Sequence, residues 1–213
     1  MVLKIAIIPV TPFEQNCSIL ICDQTRQAAV VDPGGDLDKI YEKIKNLNIS
    51  VEQILITHGH ADHCSAAKEL ALTLKKPIIG PHIDDQFWIE QLPEQVKRFG
   101  FNHLGQSFTP DKWLEDGDQV WVGNQCLEVV HCPGHTPGHI VFVDLASRLA
   151  VVGDVLFSGS IGRTDFPRGN HGDLIESIKQ KLIPLGDDIT FVPGHGPLST
   201  FGQERISNPY LID

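Results

Sequence analysis

The stretch Ile54–Ser65 reads ILITHGHADHCS and carries the strongest structural and chemical signal in the chain. An apolar run ends here, and four polar side chains follow within six positions: His58, His60, Asp62 and His63. Alternate residues of extended backbone point to the same side, so His58 and His60 can bind one ion. Asp62 and His63 are adjacent and must diverge, which suits a second ion beside the first. The stretch therefore predicts a strand that ends in a metal-binding loop.

Four side chains are too few ligands for two metal ions, so further ligands must come from other strand ends. Three other apolar runs each end in such a residue next to glycine: His135 in HCPGHTPGH, Asp154 in LAVVGDVLF and His195 in ITFVPGHGP. Glycine allows the backbone to approach closely at such points. Together the candidates supply seven ligands for two ions, and the Asp154 carboxylate is placed to bridge both.

The remaining histidines and the cysteines give no such pattern. We expect a solvated or structural role for the other five histidines, which are His82, His103, His131, His139 and His171. The five cysteines are odd in number and form no CxxC pair, which favours reduced, buried thiols. Cys64 follows His63 directly, and we expect it to pack rather than to act as a nucleophile.

Composition narrows the class of protein. The chain has 213 residues, 41% hydrophobic and 21% charged, which fits one globular domain over residues 1–213. Its formal net charge of −10 argues against nucleic-acid binding, which needs a basic surface. The N-terminus lacks the features of a signal peptide or a membrane span, so we expect a cytoplasmic protein without a membrane partner. Short apolar runs that alternate with helical patterns indicate a layered α/β or α+β fold.

The tracts HGHADH, CPGHTPGH, VVGDVLF and VPGHGP, in this order, resemble the metallo-β-lactamase superfamily. The chain is most similar to the compact bacterial type of glyoxalase II, a hydroxyacylglutathione hydrolase, without the C-terminal helical domain of the longer enzymes. The resemblance implies an α+β fold, a four-layer αββα sandwich with the metal site at one edge of two packed sheets. It also implies two divalent ions, zinc by preference with iron or manganese as alternatives.

The resemblance assigns the ligands residue by residue. It implies that His58, His60 and His135 bind one ion, that Asp62, His63 and His195 bind the other, and that Asp154 bridges them. A hydroxide shared by the ions and held by Asp154 and Asp62 would attack the substrate carbonyl. Asp32, in AVVDPGG, either orients a ligand histidine by accepting its second N–H or simply forms an Asp-Pro-Gly turn.

The implied substrate is S-D-lactoylglutathione or a related acyl-glutathione, hydrolysed to a hydroxy acid and glutathione. This small molecule is anionic, so an acidic chain needs a local cation, and Arg163 in SGSIGRTDFPRG is the first candidate, with Arg168 second. The GRTDF tract departs from the longer enzymes and is similar to that of persulfide dioxygenases. A mono-iron enzyme of that kind, acting on glutathione persulfide through His58, His135 and Asp154, is the alternative. A β-lactamase and a nuclease of the same superfamily are less favoured, and the oligomeric state is open.

Overall fold

The computed structural model describes residues 2–102 and 105–212, which form two β-sheets packed face to face and flanked by helices. The first sheet has the order β1-β2-β3-β4-β5. Its strands are β1 (Leu3–Val10), β2 (Gln15–Cys22), β3 (Gln27–Val31), β4 (Ser50–Leu55) and β5 (Ile78–Ile79). Strands β1 to β3 pair antiparallel, whereas β4 is parallel to β3 and β5 is parallel to β4.

The second sheet has the order β13-β12-β9-β8-β7-β6. Its strands are β6 (Gln119–Val122), β7 (Gln125–His131), β8 (Ile140–Asp144), β9 (Leu149–Gly153), β12 (Thr190–Pro193) and β13 (Ser199–Thr200). Only β9 and β12 are parallel, so these two strands end at the same edge of the sheet. A small hairpin, β10 (Leu156–Phe157) and β11 (Ser160–Ile161), follows β9.

The helices lie on the outer faces of the two sheets. They are α1 (Leu37–Leu47), α2 (Ala61–Cys64), α3 (Ala67–Leu74), α4 (Gln86–Glu90), α5 (Leu92–Phe99), α6 (His171–Glu176) and α7 (Phe201–Ser207). A 3₁₀ turn, Ile83–Asp85, precedes α4, and a π-helical segment, Ser177–Leu182, continues α6. Within the described residues, no helix is long and apolar enough to cross a bilayer.

Three apolar clusters account for the layers. On β2 the side chains alternate: Ile19 and Ile21 pack with Leu70 of α3, while Leu20 faces the other sheet and joins the cluster that contains Phe142 of β8. A third cluster places Phe201 and other helical residues against the outer face of the second sheet. The layers are therefore helix, sheet, sheet and helix, which confirms the α+β sandwich expected from the sequence.

The ligand-bearing segments leave the ends of strands from both sheets. Residues 58–63 follow β4, while His135, Asp154 and His195 follow β7, β9 and β12. The periodicity of the sequence identified these strands, but it did not identify α5, whose eight residues LPEQVKRF have a short amphipathic pattern beginning at a proline. That helix covers the ligand loop and forms part of the site described below.

Candidate metal centre

The loop after β4 separates its ligands by a change in backbone conformation. His60 is extended, with φ −76° and ψ 147°, and α2 begins at the next residue. The extended backbone brings His58 and His60 to one side, as the sequence predicts. Helical rotation of about 100° per residue then turns Asp62 and His63 in different directions. One short segment therefore serves two groups of ligands.

The first group is formed by three imidazole rings. His58 Nε2 lies 3.1 Å and His135 Nε2 lies 3.0 Å from His60 Nδ1. The hydrogen bonds of Nδ1 in His58 and His135 show which ring nitrogen carries the proton. His135 Nδ1 lies 2.8 Å from the carbonyl of Arg163, so it donates there and leaves Nε2 as a lone pair. His58 Nδ1 lies 3.0 Å from Thr57 Oγ1, which supports the same tautomer.

The second group joins His63 and His195 to two carboxylates. His63 Nδ1 donates to Asp32 Oδ2 at 2.9 Å, and His195 Nδ1 donates to the carbonyl of Phe13 at 3.1 Å. Their Nε2 lone pairs then face carboxylate oxygens: His63 Nε2 lies 3.3 Å from Asp154 Oδ1, and His195 Nε2 lies 3.1 Å from Asp62 Oδ2. Lone pairs face lone pairs throughout this group.

Asp154 lies between the two groups. Its Oδ1 approaches His63 of the second group, and its Oδ2 lies 3.6 Å from His135 Nε2 of the first group and 3.8 Å from His195 Nε2. The two oxygens of this carboxylate thus approach histidine nitrogens of both groups. The geometry is that of a bridging ligand.

These residues fit divalent metal ions. His63 Nε2 and Asp154 Oδ1 are buried and have no hydrogen-bond partner among the described residues. Buried polar atoms without partners are costly, and here they converge with other electron pairs at one point. Tetrahedral ligands of zinc lie about 3.4 Å apart, close to the separations observed. The donor set of imidazole and carboxylate without thiolate suits zinc, iron or manganese.

The electrostatics agree with this donor set. Burial lowers the pKa values of His58 and His60 well below the ordinary value, which keeps both rings in the neutral form that binds metal. Burial also acts against a charged His63, but the carboxylates of Asp154 and Asp62 outweigh it and raise the pKa of His63 well above its ordinary value. The second group therefore attracts positive charge strongly.

Asp32 contacts His63, one of the candidate ligand histidines. Its carboxylate is buried and accepts from Thr57 N at 2.8 Å, from Thr57 Oγ1 at 2.6 Å and from His63 Nδ1 at 2.9 Å. Its backbone has φ 52°, in the left-handed region. Of the two interpretations left open by the sequence, the contact with His63 Nδ1 favours the one in which Asp32 orients a candidate ligand histidine.

The variant Asp32→Asn is expected to weaken the second metal-binding group selectively. Asparagine keeps the volume and can still accept from Thr57 N, but its amide cannot accept from His63 Nδ1. Loss of such a contact typically costs about 10-fold to 100-fold in metal affinity. Metal titration with a competing chelator measures this, with Asp36→Asn at an exposed carboxylate as the control. Equal affinities in Asp32→Asn and the control would contradict the orienting role.

Asp85 is a functional residue that the sequence did not reveal. It is fully buried, and its carboxylate accepts three hydrogen bonds from both ligand loops. Gly59 N and Thr136 Oγ1 each donate to Oδ2 at 2.8 Å, and Gly138 N donates to Oδ1 at 2.6 Å. Burial raises the pKa of Asp85 to about 6, although these hydrogen bonds partly offset the shift. Asp85 therefore ties the loop of His58 and His60 to the loop of His135.

Among the described residues, His139 is the one histidine outside the seven candidates that borders the centre. Its ring is buried, stacks on His58 at a centroid distance of 4.5 Å, and accepts from Asp154 N at 3.0 Å. Gly153 approaches this ring so closely that a Cβ there would lie 2.7 Å from His139 Nε2, and its φ is 49°. The structural role expected for His139 thus includes positioning of the bridging carboxylate.

The other histidines lie apart from the centre. His82 and His131 stack at 4.2 Å, and their ring nitrogens contact Glu115 and the carbonyl of Pro137. His171 is exposed at the start of α6, and His103 lies outside the described residues. The five cysteines are free thiols. Cys64 donates to the carbonyl of His60, and burial raises its pKa well above the ordinary value, which makes it a poor nucleophile.

A cavity of about 610 Å³ opens next to the ligand groups, and four phenylalanines and Trp88 are among the residues that line it. Arg163 lines it, but its guanidinium is paired with Asp165 at 2.6 Å on both oxygens and lies over the Phe166 ring. Arg168 instead lies over the Phe87 ring, with a distance of 4.2 Å from its Cζ to the ring centroid. Of the two arginines considered from the sequence, the structure brings Arg163 to the cavity and leaves its charge compensated.

Comparison with known proteins agrees with this geometry. The sequence matches the metallo-beta-lactamase superfamily over residues 10–195. The chain is 47% identical to the hydroxyacylglutathione hydrolase GloC of Haemophilus influenzae, over 98% of both chains. Two solved structures are also similar. The BLEG-1 B3 metallo-beta-lactamase has a TM-score of 0.90 and 32% identity, covering 99% of this chain and 100% of that one. A di-iron form of TTHA1623 has a TM-score of 0.88 and 30% identity, covering 97% and 100%.

The matched region contains all seven candidate ligands, from His58 to His195. The chain is a metal-dependent hydrolase, and it belongs to the metallo-β-lactamase superfamily.

Proposed function

We propose that the chain hydrolyses thioesters of glutathione, as its sequence resemblance to glyoxalase II implies. The observation that carries the proposal is the position of Asp154 between two complete ligand groups. His58, His60 and His135 would hold one ion, and Asp62, His63 and His195 would hold the other. The high identity to a hydroxyacylglutathione hydrolase along the full length of both chains supports this substrate class.

The residues of the chain perform definable tasks in such a reaction. When bound, divalent ions supply a hydroxide at neutral pH and polarise the carbonyl of the substrate. By the same resemblance, the carboxylates of Asp154 and Asp62 would hold and orient this hydroxide. Attack forms a carbon–oxygen bond, the carbon–sulfur bond breaks, and the products are a carboxylic acid and a thiol. No serine or cysteine nucleophile is required.

Aromatic side chains form the part of the cavity wall beside His60. Trp88 and Phe166 contact His60 edge to face, at centroid distances of 4.6 and 4.8 Å. Phe13 packs edge to face against Phe99 of α5 at 5.4 Å and continues this wall. The volume of the cavity falls in the range of sites for small ligands.

We further propose that residues 1–213 act as one hydrolase domain, with zinc as the preferred metal.

Two other functions use the same fold. A mono-iron persulfide dioxygenase needs only His58, His135 and Asp154, so the intact second group of Asp62, His63 and His195 favours the binuclear hydrolase. A β-lactam substrate is the second candidate, because BLEG-1 shares 32% identity and the fold. The three functions differ in metal content, in oxygen consumption and in the bond that is cleaved.

The deciding experiment measures metal content, thioester hydrolysis and oxygen uptake on one preparation. We expect about two ions per chain, cleavage of S-D-lactoylglutathione and no oxygen consumption. One iron per chain, with oxygen uptake on glutathione persulfide and no thioester cleavage, would overturn the hydrolase. Rapid cleavage of a chromogenic cephalosporin without thioester cleavage would instead favour a β-lactamase.

A further inference from the structure

Helix α5 carries two charged side chains, Glu94 and Arg98, that line the cavity and have no ion-pair partner among the described residues. Gln91, Glu94, Gln95 and Arg98 all line the cavity, and their spacing of three and four residues places them on one face of the helix. This face therefore looks toward the metal-binding groups. Neither the family resemblance nor the sequence pattern assigned any of these residues.

The position of α5 is fixed relative to the ligand loop by Gln95. This buried side chain accepts from Ala61 N at 3.0 Å and donates to the carbonyl of Trp88 at 2.8 Å. Its amide nitrogen also lies 3.4 Å from the carbonyl of Gly59, the residue between His58 and His60 in the sequence. Arg98 follows Gln95 by three residues, about 4.5 Å further along the axis. The helical backbone that carries Arg98 is thus fixed relative to the ligand loop.

The charge of Arg98 is available to a ligand. Within residues 2–102 and 105–212, no carboxylate lies within 4.0 Å of its guanidinium, and the side chain is exposed. Glu94 is also exposed and forms no ion pair in the same part of the chain, although it lies one helical turn away. Arg163, in contrast, is held by Asp165 on both oxygens. Of the two arginines that line the cavity, Arg98 is therefore the one without a carboxylate partner in the described part of the chain.

We propose that Glu94 and Arg98 form a recognition site for the amino-acid end of the thiol half of the substrate. Arg98 binds the carboxylate through its planar guanidinium, and Glu94 binds the neighbouring ammonium group. The γ-glutamyl end of glutathione carries this pair of charges. The inference rests on the proposed thioesterase function and names the part of the chain that selects the thiol. An acidic protein thereby holds an anionic substrate through one local cation.

The test separates binding from chemistry. Calorimetry measures affinity for S-methylglutathione, a thioether that cannot be hydrolysed. Arg98→Ala is expected to weaken this binding about 10-fold to 100-fold, as for loss of a charge-assisted contact. Glu94→Gln is expected to weaken it less, and this effect should vanish with the N-acetylated ligand. Lys97→Ala, at an exposed neighbouring cation, is the matched control and should bind as the unaltered protein does.

A kinetic measurement completes the test. Arg98→Ala should raise KM for S-D-lactoylglutathione at least about 10-fold more than for the lactoyl thioester of N-acetylcysteamine, which carries no charge. Failure of the unaltered protein to bind S-methylglutathione, or equal binding by Arg98→Ala, overturns the proposed recognition site. If binding depends on Arg98 but no thioester is cleaved, the recognition site stands and the proposed hydrolase does not. If thioesters are cleaved and Arg98→Ala changes neither measurement, the hydrolase stands alone.

Discussion

Replacing Asp154 with alanine is expected to lower kcat for thioester hydrolysis by about 1000-fold or more. The Asp154 carboxylate approaches both ligand clusters, so its removal takes a candidate bridging ligand away from both. Metal-assisted charge stabilisation supplies several kcal/mol to such reactions, and about 4 kcal/mol corresponds to about 1000-fold in rate. Steady-state kinetics and metal analysis of the same preparation measure the effect, and the metal content should fall below two ions per chain.

The control for this variant is Asp188→Ala. Asp188 is an exposed carboxylate that pairs with Arg148 far from the centre, so its loss changes the net charge equally without touching the ligands. Circular dichroism of both variants checks that the fold persists. Retention of full turnover in Asp154→Ala would show that the binuclear mechanism is wrong.

Replacing Asp85 with alanine is expected to destabilise the protein by about 3 kcal/mol, because three buried donors lose their acceptor. For a domain of this size, that corresponds to a fall in Tm of about 6–12 °C. Turnover should fall as well, since the loops of His58, His60 and His135 are no longer tied together. Thermal unfolding and kinetics of the metal-loaded protein measure the two effects.

The neighbouring residue provides the comparison for Asp85. Asp84→Ala removes a carboxylate that is 57% exposed on the same 3₁₀ turn, and its effect on Tm should be within about 2 °C. Asp85→Asn keeps the volume but presents an amide to one of the donors, so it should lie between the other two variants. Equal Tm values for Asp85→Ala, Asp85→Asn and Asp84→Ala would contradict the proposal that the hydrogen bonds of Asp85 connect the two loops.

The sequence revealed the candidate ligands because each of their segments follows a strand whose apolar pattern is easy to read. Strands that end at one edge bring their next residues together, so His58, His135, Asp154 and His195 could be grouped without coordinates. The sandwich architecture itself came from the resemblance to a family. Periodicity predicts strands and helices, but it does not state how two sheets pack.

Asp85, Gln95 and Arg98 could not be found in the same way. Their roles depend on where the segment between β5 and β6 crosses the ligand loop, and Asp85 contacts Gly138 across 53 positions of sequence. An aspartate at a helix start and an amphipathic octapeptide are common, and nothing local distinguishes these examples. The ion pair between Arg163 and Asp165 also depends on local backbone conformation that the sequence pattern does not predict.

The ligands are drawn from both sheets, and this has a consequence for how the protein unfolds. His60 and His135 lie 75 positions apart in the chain, and Asp62 and His195 lie 133 apart. With ions bound, these contacts close long loops much as disulfide bridges would, in a chain whose five cysteines are free. Neither sheet can then separate from the other without releasing the metal ions. Loss of structure in one sheet is thereby transmitted to the other, and the midpoint of thermal unfolding should rise with the concentration of free metal.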